Sequence, residues 1–371
     1  MSSDVSTRPT APQPWPFGKP GTGMFRNDRS RLENEVNLRS CGLLHPRAAE
    51  FHTETLQGLD PVEIMTYPVY RETYALVAEH LGVDPGSLVL TAGSDPALDL
   101  IVRSFPLARI VIHTPNFGGW AKFAHIGKQT IDHVAPDPDS GGFRLADLLT
   151  ALRKGPRAIV VVTQPHSYTG QVHDAQELTD LARGVGEHGS LLVLDTAYLA
   201  FTHGGEELVR GVAGQPHVLR VNGFSKGYGL SGARIAAVVG HPRTVNRVFD
   251  LDPEAAVSGI AMALLRAALR HDEYFQAIRD EIRHLRERFA RLVESAVPGW
   301  RARESGGNFV AFDVPDPAQA RAATSRLLRH GFITRDMSGL PSLPAAVRIA
   351  VADEPSALRV VDILGDWSSG R

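Results

Sequence analysis

The sequence predicts an α/β protein: a three-layer αβα large domain around a mostly parallel sheet, with a smaller α+β domain following it. Three observations predict this. Apolar runs of strand length alternate with helical patterns from roughly residue 70 to 240, the rhythm of a parallel sheet with helical crossovers. Runs such as Ile159-Val160-Val161-Val162 and Leu191-Leu192-Val193-Leu194 are apolar throughout, as strands covered on both faces require. A length of 371 residues also exceeds what one hydrophobic core ordinarily supports.

Taken in order, residues 1–38 are dense in proline and glycine between Pro12 and Gly23, show little periodicity, and read as a flexible arm ordered against a partner subunit. A helical face formed by Tyr74, Val77 and Leu81 predicts a helix over 70–81, stopped by Gly82. Strands are then expected at 87–92, 109–113, 129–134, 158–163, 190–195, 217–222 and 233–240. The helices between them are expected at 95–105, 119–126, 145–153 and 175–188. Beyond residue 240 the pattern changes to two long helices, 254–270 and 272–297, and then a βαβ-like tail over 308–313, 317–330, 347–351 and 355–367. The expected division is an arm 1–38, a large domain 39–262 and a small domain 263–371.

Composition narrows the function. A formal net charge of −2 gives no basic excess for nucleic acid, and no apolar stretch is long enough to span a bilayer. The N-terminus lacks the apolar core of a signal peptide, so the expected setting is the cytoplasm. The single cysteine, Cys41, excludes an intramolecular disulfide and any cysteine-based metal cluster, and reads as a small core residue.

Chemistry gathers where strands end, which is where ligands bind in such sheets. The segment Asn222-Gly223-Phe224-Ser225-Lys226-Gly227-Tyr228-Gly229-Leu230-Ser231-Gly232-Ala233-Arg234 sets a lysine between a hydroxyl and a glycine-rich turn. Such a lysine can form a Schiff base with a carbonyl, and Ser225 and Arg234 can grip a phosphate. Without context it is equally a surface lysine in a hairpin. Asp195 ends its strand, followed by Thr196, Ala197 and Tyr198; the carboxylate can pair with a protonated ring nitrogen or serve as a helix cap. Gly93, Ser94 and Asp95 open a helix whose amides make an anion site, with Asp95 as its N-cap. Phe117 is the expected ring-stacking aromatic after strand 109–113, with Trp120 the alternative. Arg348, alone in an apolar strand, suits a substrate carboxylate.

In this order, these motifs resemble the fold-type I pyridoxal-phosphate (PLP) enzymes of the class I/II aminotransferase group, and most closely the histidinol-phosphate aminotransferase branch. The resemblance runs over about residues 65–351. It implies a PLP-dependent aminotransferase in which Lys226 is the Schiff-base lysine and shuttles a proton. Asp195 would meet the pyridine nitrogen, and Tyr198 the ring oxygen. Gly93, Ser94, Asp95, Ser225 and Arg234 would surround the phosphate, Phe117 would stack on the ring, and Arg348 would hold the substrate carboxylate. It also implies a homodimer in which Tyr67 reaches the cofactor phosphate of the neighbouring subunit. Three positions depart from the family. The asparagine of its Asn-Pro-Thr-Gly loop is Ser167, the glutamate of its Asp-Glu-Ala-Tyr motif is Thr196, and Gly223 stands where some relatives carry a hydroxyl. Ser167 admits a second outcome, a decarboxylase, lyase or oxidase on the same fold.

Two other classes compete. Gly223-Phe224-Ser225-Lys226-Gly227 matches the G-x-S-x-G pattern of hydrolases, which needs a helix immediately after; glycines leading toward a strand follow instead. A non-catalytic binding module of the same fold would have no need of the Lys226 amine.

Overall fold

The structure, a computed structural model, describes residues 35–137, 140–253 and 255–370. The prediction for the arm therefore lies, through residue 34, outside the described residues. The dominant feature is a seven-stranded sheet. From edge to edge it runs Leu88–Thr91, Ala236–Gly240, Val218–Gly223, Leu191–Asp195, Ala158–Thr163, Arg109–His113 and Thr130–Val134. All neighbours are parallel except Ala236–Gly240, which runs antiparallel to both of its partners.

The apolar runs divide their side chains by period 2. Ile159, Val161, Leu191 and Val193 enter a core with Leu98, Ile101, Trp120 and Phe123. Their neighbours Val160, Val162, Leu192 and Leu194 enter the opposite core, with Leu148, Leu178 and Leu181. Helices Ser94–Ser104 and Gly119–Ile126 thus cover one face, and Leu145–Leu152 and Ala175–Glu187 the other. Three layers result because strands apolar on both faces require two covers.

A second sheet of four strands, in the order Arg335–Asp336, Ala346–Ala350, Phe309–Asp313 and Arg301–Ala302, is antiparallel throughout. The βαβ-like tail is corrected here. Helix Pro317–Arg329 does cross over, but the chain reverses again between Arg335–Asp336 and Ala346–Ala350, turning through Gly339, Pro341 and Pro344. Val36–Asn37 pairs in parallel with Phe332–Ile333, and Leu38 O accepts from Ala350 N, so the residues just before 40 are tied to this second sheet. One apolar cluster runs from Leu88 and Ala237 through Phe275 and Ile282 to Phe309 and Val347, joining the two sheets through helices Gly259–Arg270 and Asp272–Ala296.

Structure and expectation differ at several places; helix Pro46–Gln57 forms where no element was expected, and the strand expected at 233–240 begins only at Ala236. Helix Pro242–Phe249 occupies a stretch with no predicted element; His241 accepts from Arg243 N at its N-cap, and only Thr244, Val245 and Val248 are buried, a face too sparse to stand out. The first long helix starts at Gly259, where the Ser258 side chain caps it through Ala261 N; Glu254, its expected start, lies outside the described residues. The helix after Gly93 starts at Ser94, so Asp95 is not its N-cap but a member of its first turn. No helix among the described residues is long and apolar enough to cross a membrane.

Candidate active site

Strand Val218–Gly223 ends in a single helical turn, Phe224–Gly227, which presents Lys226. The lysine is half-buried, and its amine donates to Ser40 O at 2.6 Å. Burial pushes that amine down from its usual range. The positive charges of Arg348 and Arg234 push the same way, against the opposing influence of Cys41 and Asp95. The Tyr198 ring centroid lies 5.9 Å from Nζ.

Asp195 ends the neighbouring strand and is 7 % exposed. Burial raises its carboxyl to about 6; the Ala197 amide, at 3.2 Å, opposes this, Asp95 adds to it, and Lys226 opposes it. Thr196 shows what its departure from the family pattern does. Its hydroxyl donates to Val221 O at 3.0 Å and accepts from Arg220 Nε at 3.0 Å, and Arg220 is held bidentately by Glu206 at 2.6 and 2.7 Å. The turn carrying Asp195 and Tyr198 is thereby fastened to the strand that carries Lys226. Tyr198 is buried against Cys41 and Arg348, and burial pushes its phenol up.

Gly93 and Arg234 meet. Gly93 has φ 102°, and a Cβ there would lie 2.6 Å from Arg234 Nη2. Only glycine satisfies both constraints. Arg234 itself has φ 59°, is exposed, and donates to Ser231 O at 3.1 Å. Ser94 is half-buried at the helix start, Asp95 is exposed beside it, and Ser225 is buried at the Lys226 turn. The guanidinium thus lies against the turn that opens the helix Ser94–Ser104, where free backbone amides and a cation suit an anion.

Phe117 is half-buried past the end of Arg109–His113, while Trp120 lies in the core at 1 % exposure; of the two aromatics only Phe117 stands at the strand end. The loop carrying Ser167 is pinned from several sides. Gln164 and His173 exchange two hydrogen bonds, at 2.7 and 3.0 Å. His166 donates from Nε2 to Pro115 O at 3.0 Å, leaving Nδ1 to accept from Thr169 N, and burial holds this histidine well below its usual pKa. The Ser167 hydroxyl is buried with no partner.

Arg348, 5 % exposed, donates to Ser167 O and, at 2.7 Å, to Arg39 O; its Nε is buried without a partner. Its guanidinium stands 5.0 Å from the Phe309 ring and 5.6 Å from Tyr168. Tyr67 is 89 % exposed, and no hydrogen bond or ring contact joins it to this cluster.

Sequence reasoning missed several neighbours. Ser40 and Cys41 cover the lysine from a turn in which Cys41 takes φ 53°, and the Cys41 carbonyl accepts from Asn308 Nδ2 at 3.1 Å. Arg335 lies directly across from Arg348 in the sheet and donates to the Tyr168 hydroxyl at 2.8 Å. The strand-forming run Phe332-Ile333-Thr334 beside it was the available signal. A separate cleft of about 920 Å³, lined by His80, Glu206, Arg220 and His241, opens toward the amino end of strand Val218–Gly223, away from Lys226.

Comparison with known proteins agrees with this arrangement. The family model described as "Aminotransferase class I and II" matches residues 48–362. A histidinol-phosphate aminotransferase of Haloferax volcanii is 30% identical over 307 residues, covering 81% of each chain. The solved histidinol-phosphate aminotransferase of Sinorhizobium meliloti, in complex with pyridoxal-5′-phosphate, is similar with a TM-score of 0.75 at 24% identity, over 100% of this chain and 98% of that one. The L-threonine-O-3-phosphate decarboxylase of Porphyromonas gingivalis shares the fold with a TM-score of 0.74 at 19% identity, over 90% and 99%.

Proposed function

The chain belongs to the class I and II aminotransferase family, and from that premise we propose that it moves an amino group between an amino acid or amine and a 2-oxo acid. In this reading its cofactor is pyridoxal 5′-phosphate, joined to the Lys226 amine in the resting protein. The observation that carries it is the lysine itself: an amine whose ionisation burial pushes down, near a buried carboxyl that burial pushes up and that makes no salt bridge among the described residues.

The surrounding residues fit the cofactor. Burial raises the Asp195 carboxyl to about 6 in spite of the Lys226 charge, and a protonated pyridine nitrogen against it would favour the carboxylate. The orphaned Ser167 hydroxyl and the Tyr198 phenol suit a ring oxygen. The Gly93–Arg234 contact, with Ser94, Asp95 and Ser225, suits a phosphate, and Phe117 suits the ring face. When bound, the cofactor supplies an electron sink for charge left on the substrate carbon.

The chain's own residues do the rest. Lys226, with its lowered pKa, takes and returns the substrate proton. Arg348 still has an unpartnered Nε for a carboxylate. A ring cation against Asp195 would hold its charge to lower pH than burial alone allows. Tyr67 has no role within one chain, and in this reading it serves the partner's phosphate in a homodimer.

Ser167 favours a second reading, a decarboxylase, lyase or oxidase. A hydroxyl reaches less far than an asparagine amide and holds the ring oxygen differently, and the fold also carries a decarboxylase in P. gingivalis.

The test is borohydride reduction of the protein reconstituted with PLP, followed by peptide mass analysis, and then a panel of amino donors with histidinol phosphate first. Expected are a cofactor adduct on Lys226, its loss in Lys226→Ala, and a 2-oxo product without carbon loss. An unmodified Lys226 peptide overturns the proposal. Release of carbon dioxide selects the second reading.

A further inference from the structure

The turn that carries Lys226 is only four residues long, so it has almost no internal hydrogen bonding with which to hold its shape. Its carbonyls are instead taken by side chains from elsewhere. Ser225 O accepts from Ser231 Oγ at 2.9 Å, Gly227 O from Arg279 Nη1 at 3.4 Å, and Tyr228 O from His52 Nε2 at 2.7 Å. Arg279 and His52 belong to helices Asp272–Ala296 and Pro46–Gln57, which pack in the apolar cluster that joins the two sheets.

Tyr228 is the hub. Its hydroxyl donates to Asp272 Oδ1 at 2.6 Å, so its remaining bond, to His80 Nε2 at 3.0 Å, is accepted from the imidazole. The same Asp272 oxygen accepts from Arg279 Nη2 at 2.8 Å, and the Arg279 guanidinium lies 4.9 Å from the Tyr228 ring. Burial pushes the Asp272 carboxyl up, but the Tyr228 hydroxyl and Arg279 outweigh it and hold the group below the usual carboxylate range. Arg279 and Tyr228 are 3 % and 4 % exposed, so nothing in solvent substitutes for these bonds. Gly227 leaves the turn no slack on its other side, because a Cβ there would meet Ala200 Cβ at 2.8 Å.

From this we infer that Tyr228, Asp272 and Arg279 are positioning residues that aim the Lys226 amine, coupling its placement to the long helix Asp272–Ala296. The inference rests on Lys226 being the reactive amine. A lysine turn without its own hydrogen bonds points where its carbonyl partners put it, and small misplacement of a reacting group is costly. His80, on the third helix of the network, also lines the 920 Å³ cleft, so the clamp reaches solvent on the side away from Lys226.

Tyr228→Phe removes one oxygen and Asp272→Asn one charge; both are to be compared with wild type in two measurements. In cofactor-free protein, the pH dependence of Lys226 labelling by an amine-reactive reagent, read by peptide mass, gives the ionisation midpoint. In reconstituted protein, steady-state kinetics gives kcat and KM. A shift of the midpoint by about half a unit or more is expected, with kcat falling about tenfold and KM staying within about twofold. Should Asp272→Asn fail to fold, Tyr228→Phe decides. Variants that melt at a lower temperature but keep the wild-type midpoint and kcat overturn the inference, because that is all a structural role predicts. If wild type itself carries no cofactor on Lys226, the reading beneath the inference fails and takes it along; a normal wild-type adduct with unaltered variants defeats the inference alone.

Discussion

Asp195 is a carboxyl group at 7 % exposure whose oxygen meets one backbone amide and no cation within hydrogen-bonding distance. Its folded pKa of about 6 stands above the 3.8 of the free side chain. For an acid raised on folding, the native state binds the proton more tightly than the unfolded chain does. The associated stability is therefore fully present below pH 3.8 and is lost as pH rises through about 6. Measured against Asp195→Asn, the cofactor-free wild type should lose relative stability between those limits, by at most ~3 kcal/mol. Denaturant melts across that range check this, and a pH-independent difference would contradict it. If Asp195 meets the ring nitrogen as proposed, cofactor affinity should run in the opposite sense, weakening as pH falls through about 6, because that contact takes the carboxylate and not the acid. Lys226, Asp195, Tyr198 and Arg348 were legible as candidates, the first three among polar and glycine residues at or just past strand ends and Arg348 as the one charge in an apolar strand. Ser40, Cys41 and Arg335 were not, because they reach the cluster by long-range folding and interrupt nothing locally.

Among the elements, the turn through Gly93 makes the sharpest demand on sequence. Its φ of 102° excludes L side chains, and the Arg234 guanidinium occupies the space where a Cβ would go. Gly93→Ala should therefore destabilise the fold by about 1–3 kcal/mol. It should also weaken PLP binding at least about tenfold by displacing Arg234. Thermal melts and a cofactor titration read the two effects separately; retention of full affinity would remove Arg234 from the phosphate. Most sheet strands were legible to within a residue or two, because strands buried on both faces announce themselves by unbroken apolar runs. Helix Pro242–Phe249 puts only two apolar side chains, Val245 and Val248, into the core and shows no such run. The antiparallel tail was misread for another reason: strand direction depends on how many times the chain reverses, which hydrophobic periodicity does not record.

At the scale of the whole molecule, one surface is conspicuously apolar. Val62, Ile64, Met65, Tyr67 and Val69 are exposed within eight residues, Met65 at 80 % and Tyr67 at 89 %. In the proposed homodimer this stretch, which includes Tyr67, would lie against the neighbouring subunit. The reconstituted protein should sediment as a dimer. Met65→Asp should shift it toward monomer and reduce activity at least about tenfold, since a buried unpaired charge opposes association. A fully active monomer would remove Tyr67 from the site.

Local chemistry was sufficient to determine the three-layer architecture and the strand ends at which polar and glycine residues gather. These follow from runs, spacings and glycine positions that short-range sterics and burial dictate. Only the tertiary structure decided which distant side chains complete the site. The Ser40 carbonyl at Lys226, the Arg335 and Arg348 pair over Tyr168, and the Tyr228–Asp272–Arg279 clamp each join segments far apart in the chain. Contacts of that kind depend on how helices and sheets pack, and no stretch of sequence contains that information by itself.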